Sequence, residues 1–276
     1  APTEMLDDQS NVILMLLSGA LCNDAKLIET ESDDSTDPFD VQGDPTETAL
    51  VTAAARFGIL KPKLESVMPR VGEIPFDSVR KRMTTVHELC GVEEACSGAI
   101  LQSLDKAGRD PSTKLVAFLK GAADAVLSIC ESIFADGRVE PLDDARRAAL
   151  HRSNDDLASG GKRVLGLAYR WIDDSIDANS DSLEQKFTFA GLAGLIDPPR
   201  PEAKSAVERC RTAGIRPVMI TGDHPLTATR IAADIGIAQE GSAVTGAELE
   251  RPSDAELRDS VGTVSLHARV TPAHTL

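Results

Sequence analysis

Apolar residues recur at helical spacing through residues 11–22 (NVILMLLSGALC), a run too long and too rich in Leu and Met for a strand, and they predict a buried helix. The acidic, Ser/Thr-bearing stretch from Glu29 to Asp40 interrupts the pattern and reads as an exposed loop. A second helix opens at Asp44-Pro45-Thr46-Glu47. Asp44 is its cap, Pro45 suits the first turn, and Glu47 stands three residues on, as in a capping box. Ala49, Leu50, Ala53, Ala54 and Phe57 form its apolar face, and Gly58 closes it.

From Glu73 to Leu89 the period shortens to that of strands, EIPF and then MTTVHEL, and Lys114 to Leu119 (KLVAFL) is a partner strand that Gly121 should break. Gly91 to Thr113 between them reads as a polar excursion, long for a hairpin loop. Helical spacing resumes over Ala122 to Phe134, Asp136-Gly137 is a turn, and a further helix runs from Leu142 to Ala158 until Gly160-Gly161. Val164 to Arg170 is again a strand, so the first two-thirds is an α+β unit with an antiparallel sheet. After the acidic linker Asp173 to Ser182 the order becomes strand (Phe187 to Ile196), Pro-rich break, helix (Glu202 to Ala213), strand (Ile215 to Ile220), loop, helix (Pro225 to Ile235), with Val261 to Ala268 as a further strand. That alternation is the grammar of a parallel, helix-covered sheet, and the chain is α/β overall.

Composition narrows the functional classes. Asp plus Glu number 44 against 29 Lys plus Arg, a formal charge of −15, which opposes a generic nucleic-acid binder or a docking face for anionic lipid. The longest apolar stretch, Val12 to Leu17, is far short of the roughly 20 residues that cross a bilayer. Five cysteines (Cys22, Cys90, Cys96, Cys130, Cys210) form no CxxC pair and read as reduced, mostly buried thiols. The start Ala1-Pro2-Thr3 lacks a signal-peptide pattern, and the chain is expected to be a piece of something longer.

Four segments could carry chemistry. Thr221-Gly222-Asp223 follows a strand and precedes a helix, which is where parallel sheets place anionic ligands; a plain turn capped by Asp223 fits the spacing equally well. Phe76 followed by Arg80-Lys81-Arg82 would suit a nucleobase and its phosphates, though a solvated basic edge with Phe76 in the core is the simpler reading of the residues alone. Lys120-Gly121-Ala122, between strand and helix, points Lys120 at a phosphate or into solvent. Gly161-Lys162-Arg163 is no Walker A motif, because Asp156 stands where that motif needs glycine. His87-Glu88 lacks the second histidine of a zinc helix, and five scattered histidines support no metal site.

Taken together, LCNDA (Leu21 to Ala25), GDPTETAL (Gly43 to Leu50), IPFDSVRKRMTTV (Ile74 to Val86), FLKGAADAVL (Phe118 to Leu127), GKRVLGLAYR, GLIDPPRPE, GIRPVMITGDHPLTA (Gly214 to Ala228) and ARVTP (Ala268 to Pro272) resemble, in order, the cytosolic catalytic portion of P-type cation-transporting ATPases. The resemblance implies a nucleotide-binding domain over 1–197, part of a haloacid-dehalogenase-like Rossmann domain over 198–276, and a hinge at 197–201. It implies ATP and Mg²⁺ as cofactors, with Phe76 stacked on adenine and Glu47, Lys81 and Lys120 lining the same pocket. Arg163 would reach the phosphates, and Asp197 and Arg200 would belong to the hinge. Thr221, Gly222 and Asp223 would approach the γ-phosphate and ribose, with Arg269 nearby. The wording is closest to calcium-type pumps. The implied partners are the transmembrane, actuator and remaining phosphorylation regions of a parent membrane protein, on its cytosolic face.

Departures from the pattern bear on mechanism. The family's phosphorylated aspartate lies in DKTGT and its Mg²⁺ loop is TGDGxND; neither occurs here. Thr275 stands where a lysine is expected, and Ser78 where some animal calcium pumps carry arginine. The expectation is a chain that binds ATP without completing phosphoryl transfer. The alternatives are a soluble haloacid-dehalogenase-like phosphatase, which the absent nucleophile strand opposes, and a non-catalytic ATP-binding module.

Overall fold

The computed structural model describes residues 9–29, 39–172, 183–197, 199–221, 225–237, 243–245, 248, 264–268 and 270. Its elements in chain order are α1 (Ser10–Leu21), β1 (Lys26–Glu29), β2 (Phe39–Gln42), α2 (Pro45–Arg56), α3 (Lys61–Val67), β3 (Arg70–Asp77), β4 (Arg82–Glu88), α4 (Val92–Ala95), α5 (Gly98–Lys106), β5 (Leu115–Ala122), α6 (Ala123–Leu127), β6 (Cys130–Ala135) and β7 (Arg138–Pro141). There follow α7 (Asp144–Ser159), β8 (Arg163–Ile172), β9 (Phe187–Leu195), α8 (Pro201–Thr212), β10 (Met219–Ile220), α9 (Pro225–Asp234), β11 (Ala243–Thr245) and β12 (Leu266–Ala268). The described residues form two units, one within Ala1–Asn154 and Val164–Leu195, the other within Asp155–Arg163 and Ile196–Leu276.

A seven-stranded sheet in the order β3-β4-β5-β8-β9-β6-β7 carries the first unit. The pairs β3–β4, β4–β5, β5–β8 and β6–β7 are antiparallel, as the alternating segments predict, while β6 runs parallel to β9. Two apolar layers cover it. On one face Ile13, Leu14, Leu17 and Leu21 of α1 pack with Leu104 of α5, Met83, Val116, Phe118 and Tyr169. On the other, Val86, Ala117, Leu119 and Ala168 meet Val126 and Leu127 of α6 and Phe187 and Phe189 of β9. The chain's single Tyr and single Trp serve the first layer. Tyr169 Oη and Trp171 Nε1 donate to the Ala107 carbonyl at 3.0 and 2.8 Å, tying the end of α5 to β8.

Several expectations are corrected. Gly91 to Thr113 holds α4 and α5, because Ile100 and Leu104, four residues apart, bury one helical face. Only Ala123–Leu127 of the predicted Ala122–Phe134 helix is helical; Cys130 to Ala135 is a strand that pairs with β9, Cys130 burying in one apolar layer and Phe134 in the other. The Asp136-Gly137 turn then joins β6 to β7, with φ of 51° and 76° as a tight hairpin requires. Phe39 and Asp40, read as loop, pair in β2 with β1, while residues 30–38 and the 173–182 linker lie outside the described residues. Of the cysteines, Cys22 and Cys130 are buried, Cys90 is exposed, and Cys96 and Cys210 lie between.

Gly121 does not break β5. It pairs with Arg82 on β4 and Gly166 on β8. A Cβ there would sit 2.4 Å from the Lys81 carbonyl oxygen and 2.6 Å from Arg82 Cβ, so the glycine admits the close approach of the β3–β4 turn.

The second unit holds a parallel sheet, β10-β12-β11, as its alternating pattern predicts. Among the described residues its core is Ala228 and Ala232 of α9 against Leu266 and Ala268 of β12. The amphipathic helix α8 forms as expected, yet none of its residues is buried. The strand expected over Ile215 to Ile220 is confined to Met219–Ile220, after Pro217.

Candidate nucleotide site

The site begins where α1 ends. Asn23, fully buried, donates from Nδ2 to the Gly19 and Glu47 carbonyls at 2.9 Å each and accepts the Ala25 amide at 2.8 Å, clamping the first turn of α2 to the last of α1. Lys61 Nζ donates to the Asn23 and Ala25 carbonyls at 2.5 and 2.7 Å, and Arg70 to the Asn23 carbonyl at 2.7 Å and the Asp24 carboxylate at 2.7 Å. Burial pulls the Lys61 ammonium below its ordinary value. Asp44 caps α2, accepting the Thr46 amide at 2.8 Å. Glu47 turns away from the capping-box role foreseen for it: one carboxylate oxygen accepts the Asp24 amide at 3.1 Å and the other is ion-paired with Lys120.

Lys120 therefore lies inside a strand, 8% exposed, and not at a strand end in solvent. It stands opposite Met83 on β4 and Leu167 on β8. The β3–β4 register shifts by one residue between Ile74 and Asp77, setting Pro75 and Phe76 against Met83. The bulge gives Phe76 the pleat face of Met83, so Phe76, Met83 and Lys120 share one rung across three strands. Phe76 and Lys120 are two strands, about 10 Å, apart. The core reading of Phe76 is corrected: its ring is 63% exposed on an edge strand.

The basic triplet is divided in use. Arg80 Nη1 and Arg82 Nε reach the two oxygens of Glu184 at 2.7 and 2.8 Å, and Thr84 Oγ1 donates to the same carboxylate at 2.8 Å. Burial pushes the Glu184 carboxyl up, but hydrogen bonds from Arg80, Thr84 and Arg82 outweigh it and hold the carboxyl below its ordinary range. Lys81, at φ 54° in the turn, is exposed and makes no ion pair among the described residues.

The remaining predicted residues are more scattered. Arg163 opens β8 with an exposed side chain. In the second unit Asp197 and Arg200 are exposed, Arg200 being the residue before α8. Thr221 ends β10, its amide donating to His267 at 2.9 Å and its carbonyl accepting Val270 at 3.1 Å. Gly222, Asp223 and Arg269 lie outside the described residues, as do Pro198, His224 and Thr275. Among the described residues no three His, Cys, Asp or Glu side chains converge as a metal site. Nor is any helix among them long and apolar enough to cross a membrane. Glu184 escaped the sequence reading because nothing in its neighbourhood sets it apart from the 44 acidic residues of the chain.

Comparison with known proteins gives the chain's relatives. A profile described as P-type ATPase, cytoplasmic domain N, matches residues 11–202. "Calcium-transporting ATPase 1" of Bacillus cereus is 36% identical over 262 residues, 95% of this chain and 26% of that protein. "Cation-transporting ATPase pma1" of Synechocystis is 37% identical over 265 residues, with the same two coverages. "Probable cation-transporting ATPase F" of Mycobacterium tuberculosis is 37% identical over 270 residues, 95% of this chain. The chain spans about a quarter of the length of these curated relatives.

Proposed function

The chain belongs to the P-type ATPases and contains their cytoplasmic domain N, and from that premise we propose that its first unit binds ATP, with adenine on Phe76 and the phosphates drawn by Lys81 and Lys120. The observation that carries the reading is the shared rung: an exposed aromatic face two strands from a buried lysine that Glu47 holds in place. An exposed ring on a strand gains little for folding, whereas a nucleobase stacked on it gains roughly 1–3 kcal/mol. Lys81, in the β3–β4 turn beside the rung's strands, is a cation with no ion pair among the described residues, in a chain whose net charge of −15 would otherwise repel a polyanion.

In the same proposal Arg163 contacts the phosphates, Asp197 and Arg200 flank the hinge, and Thr221, Gly222, Asp223 and Arg269 serve the γ-phosphate and ribose. P-type ATPases use ATP and Mg²⁺. Among the described residues no three His, Cys, Asp or Glu side chains gather as a ligand set for the metal. The names of the relatives support a parent protein that transports a cation, calcium first, on whose cytosolic side this chain works beside membrane, actuator and phosphorylation regions. This sequence contains no DKTGT, so it is expected to bind ATP without being phosphorylated.

Calorimetric titration with ATP, ADP and GTP tests the reading. Saturable adenine-nucleotide binding in the micromolar to millimolar range, about −8 to −4 kcal/mol, is expected, weaker for GTP and at least several-fold weaker in Phe76→Ala. Because that ring is exposed, the variant should keep its stability within about 0.5 kcal/mol. Absence of saturable heat, or a Phe76→Ala chain that binds as well as the parent, would overturn it.

A further inference from the structure

We propose that Glu184 is a positioning residue for the nucleotide site, holding the β3–β4 turn so that Phe76 and Lys81 are presented together. The proposal rests on the nucleotide reading of that turn and extends it to a residue far away in the chain. Glu184 is 7% exposed and lies just before β9. Its carboxylate receives Arg80, Arg82 and Thr84, which are 104, 102 and 100 residues earlier.

The turn's own bonds are local. Asp77 Oδ1 accepts the Val79 and Arg80 amides at 3.0 and 2.8 Å, and the Lys81 amide donates to the Asp77 carbonyl at 2.6 Å. Such bonds close a turn but leave it free to tilt on its strands. The Val79 side chain at its tip is 87% exposed and contributes no packing to resist that. The Ala122 amide, donating to the Lys81 carbonyl at 2.9 Å, ties the end of the turn to β5, and Glu184 supplies the long-range side-chain anchor on the arginines either side of Lys81. Arg80 extends it, since Nη2 donates to the Pro75 carbonyl at 2.8 Å while Nη1 holds Glu184. One guanidinium thus links the buried carboxylate to the residue before Phe76. Arg82 Nε holds the other carboxylate oxygen at 2.8 Å on the far side of Lys81. Both arginines flanking Lys81 are held by one buried carboxylate, one on each oxygen, and a division of this kind fixes direction as well as distance.

Adenosine is the cleaner probe. Removing a carboxylate raises the local positive charge and would favour ATP on electrostatic grounds alone, whereas an uncharged nucleoside reports only the presentation of Phe76. Adenosine and ATP are titrated against the parent chain, Glu184→Ala and Glu184→Gln, with thermal melting and amide exchange followed in parallel. Glu184→Ala is expected to weaken adenosine roughly tenfold and to speed exchange at Val79, Arg80 and Lys81, leaving Phe118 to Lys120 protected. Glu184→Gln, which keeps the length and a carbonyl acceptor, is expected to restore most of the affinity. If Glu184→Ala does not fold, Arg80→Gln cuts the same link from its exposed end and carries the same expectation. A parent chain that binds adenosine no better than Glu184→Ala does overturns the proposal alone. So does a fall in melting temperature with loss of protection throughout the sheet and unchanged affinity. A parent chain that binds neither ligand overturns the nucleotide reading and the positioning role with it.

Discussion

His87 is 1% exposed, its ring 5.7 Å from that of Phe118. Nδ1 lies 2.8 Å from the Met68 carbonyl, so Nδ1 carries the proton, and Nε2 faces Thr85 Oγ1 at 3.0 Å. Burial, with Arg70 and Lys61 adding repulsion, depresses its pKa to about 4 despite the favourable Met68 and Leu21 carbonyls. The unfolded chain takes up that proton near pH 6.5 and the folded chain only near pH 4, so between them the unfolded state binds more protons. Stability is therefore expected to fall by about 3 kcal/mol as pH drops through this window, and to be complete above it. Urea unfolding between pH 7 and pH 4 checks this; the acid slope should flatten in His87→Gln, and an unchanged slope would assign it to other groups.

At the scale of elements, the decisive contact is the approach of β5 to the turn between β3 and β4. The Ala122 amide donates to the Lys81 carbonyl at 2.9 Å, and Gly121 leaves room for it. Gly121→Ala would press a methyl into backbone that has no flexible tip to yield. A loss of about 1–3 kcal/mol is expected, together with weaker adenine binding, since the turn carrying Lys81 must shift. A denaturation midpoint equal to that of the parent would show that the turn gives way freely. The same elements show what local pattern conveys. α1, α2, α7, β4 and β8 stand close to where spacing and capping residues put them. β6 was mistaken for helix because Val126, Leu127, Cys130 and Ile133 satisfy helical spacing. It is a strand because β9, distant in sequence, offers it a parallel partner. α5 was missed although Ile100 and Leu104 signalled it, because Ser, Gly and charged neighbours diluted the run.

Across the whole molecule, the two units differ in the depth of their cores. The first has two broad apolar layers. Among the described residues the second rests on Ala228, Ala232, Leu266 and Ala268, with α8 burying no residue. Opening free energy follows buried apolar contact, so amides of α8 and α9 are expected to exchange faster than those of β4, β5 and β8. Equal protection in both would mean that the second unit draws stability from something other than its apolar core.

The family, the alternation of elements and most of the proposed contacts were legible in the sequence, because caps, glycines and apolar periods act over a few residues and are written in neighbouring letters. Phe76, Lys120 and Glu47 could be named from motifs. That Phe76 is exposed, that Lys120 is buried against Glu47, and that of three adjacent cations Lys81 alone has no ion pair among the described residues were decided by tertiary structure. A one-residue bulge turns Phe76 onto the face of Met83, and a carboxylate about a hundred residues away takes the two arginines. Both depend on strand register and on which chains meet in the sheet. Those are properties of the packed core as a whole, and no local run of residues encodes them.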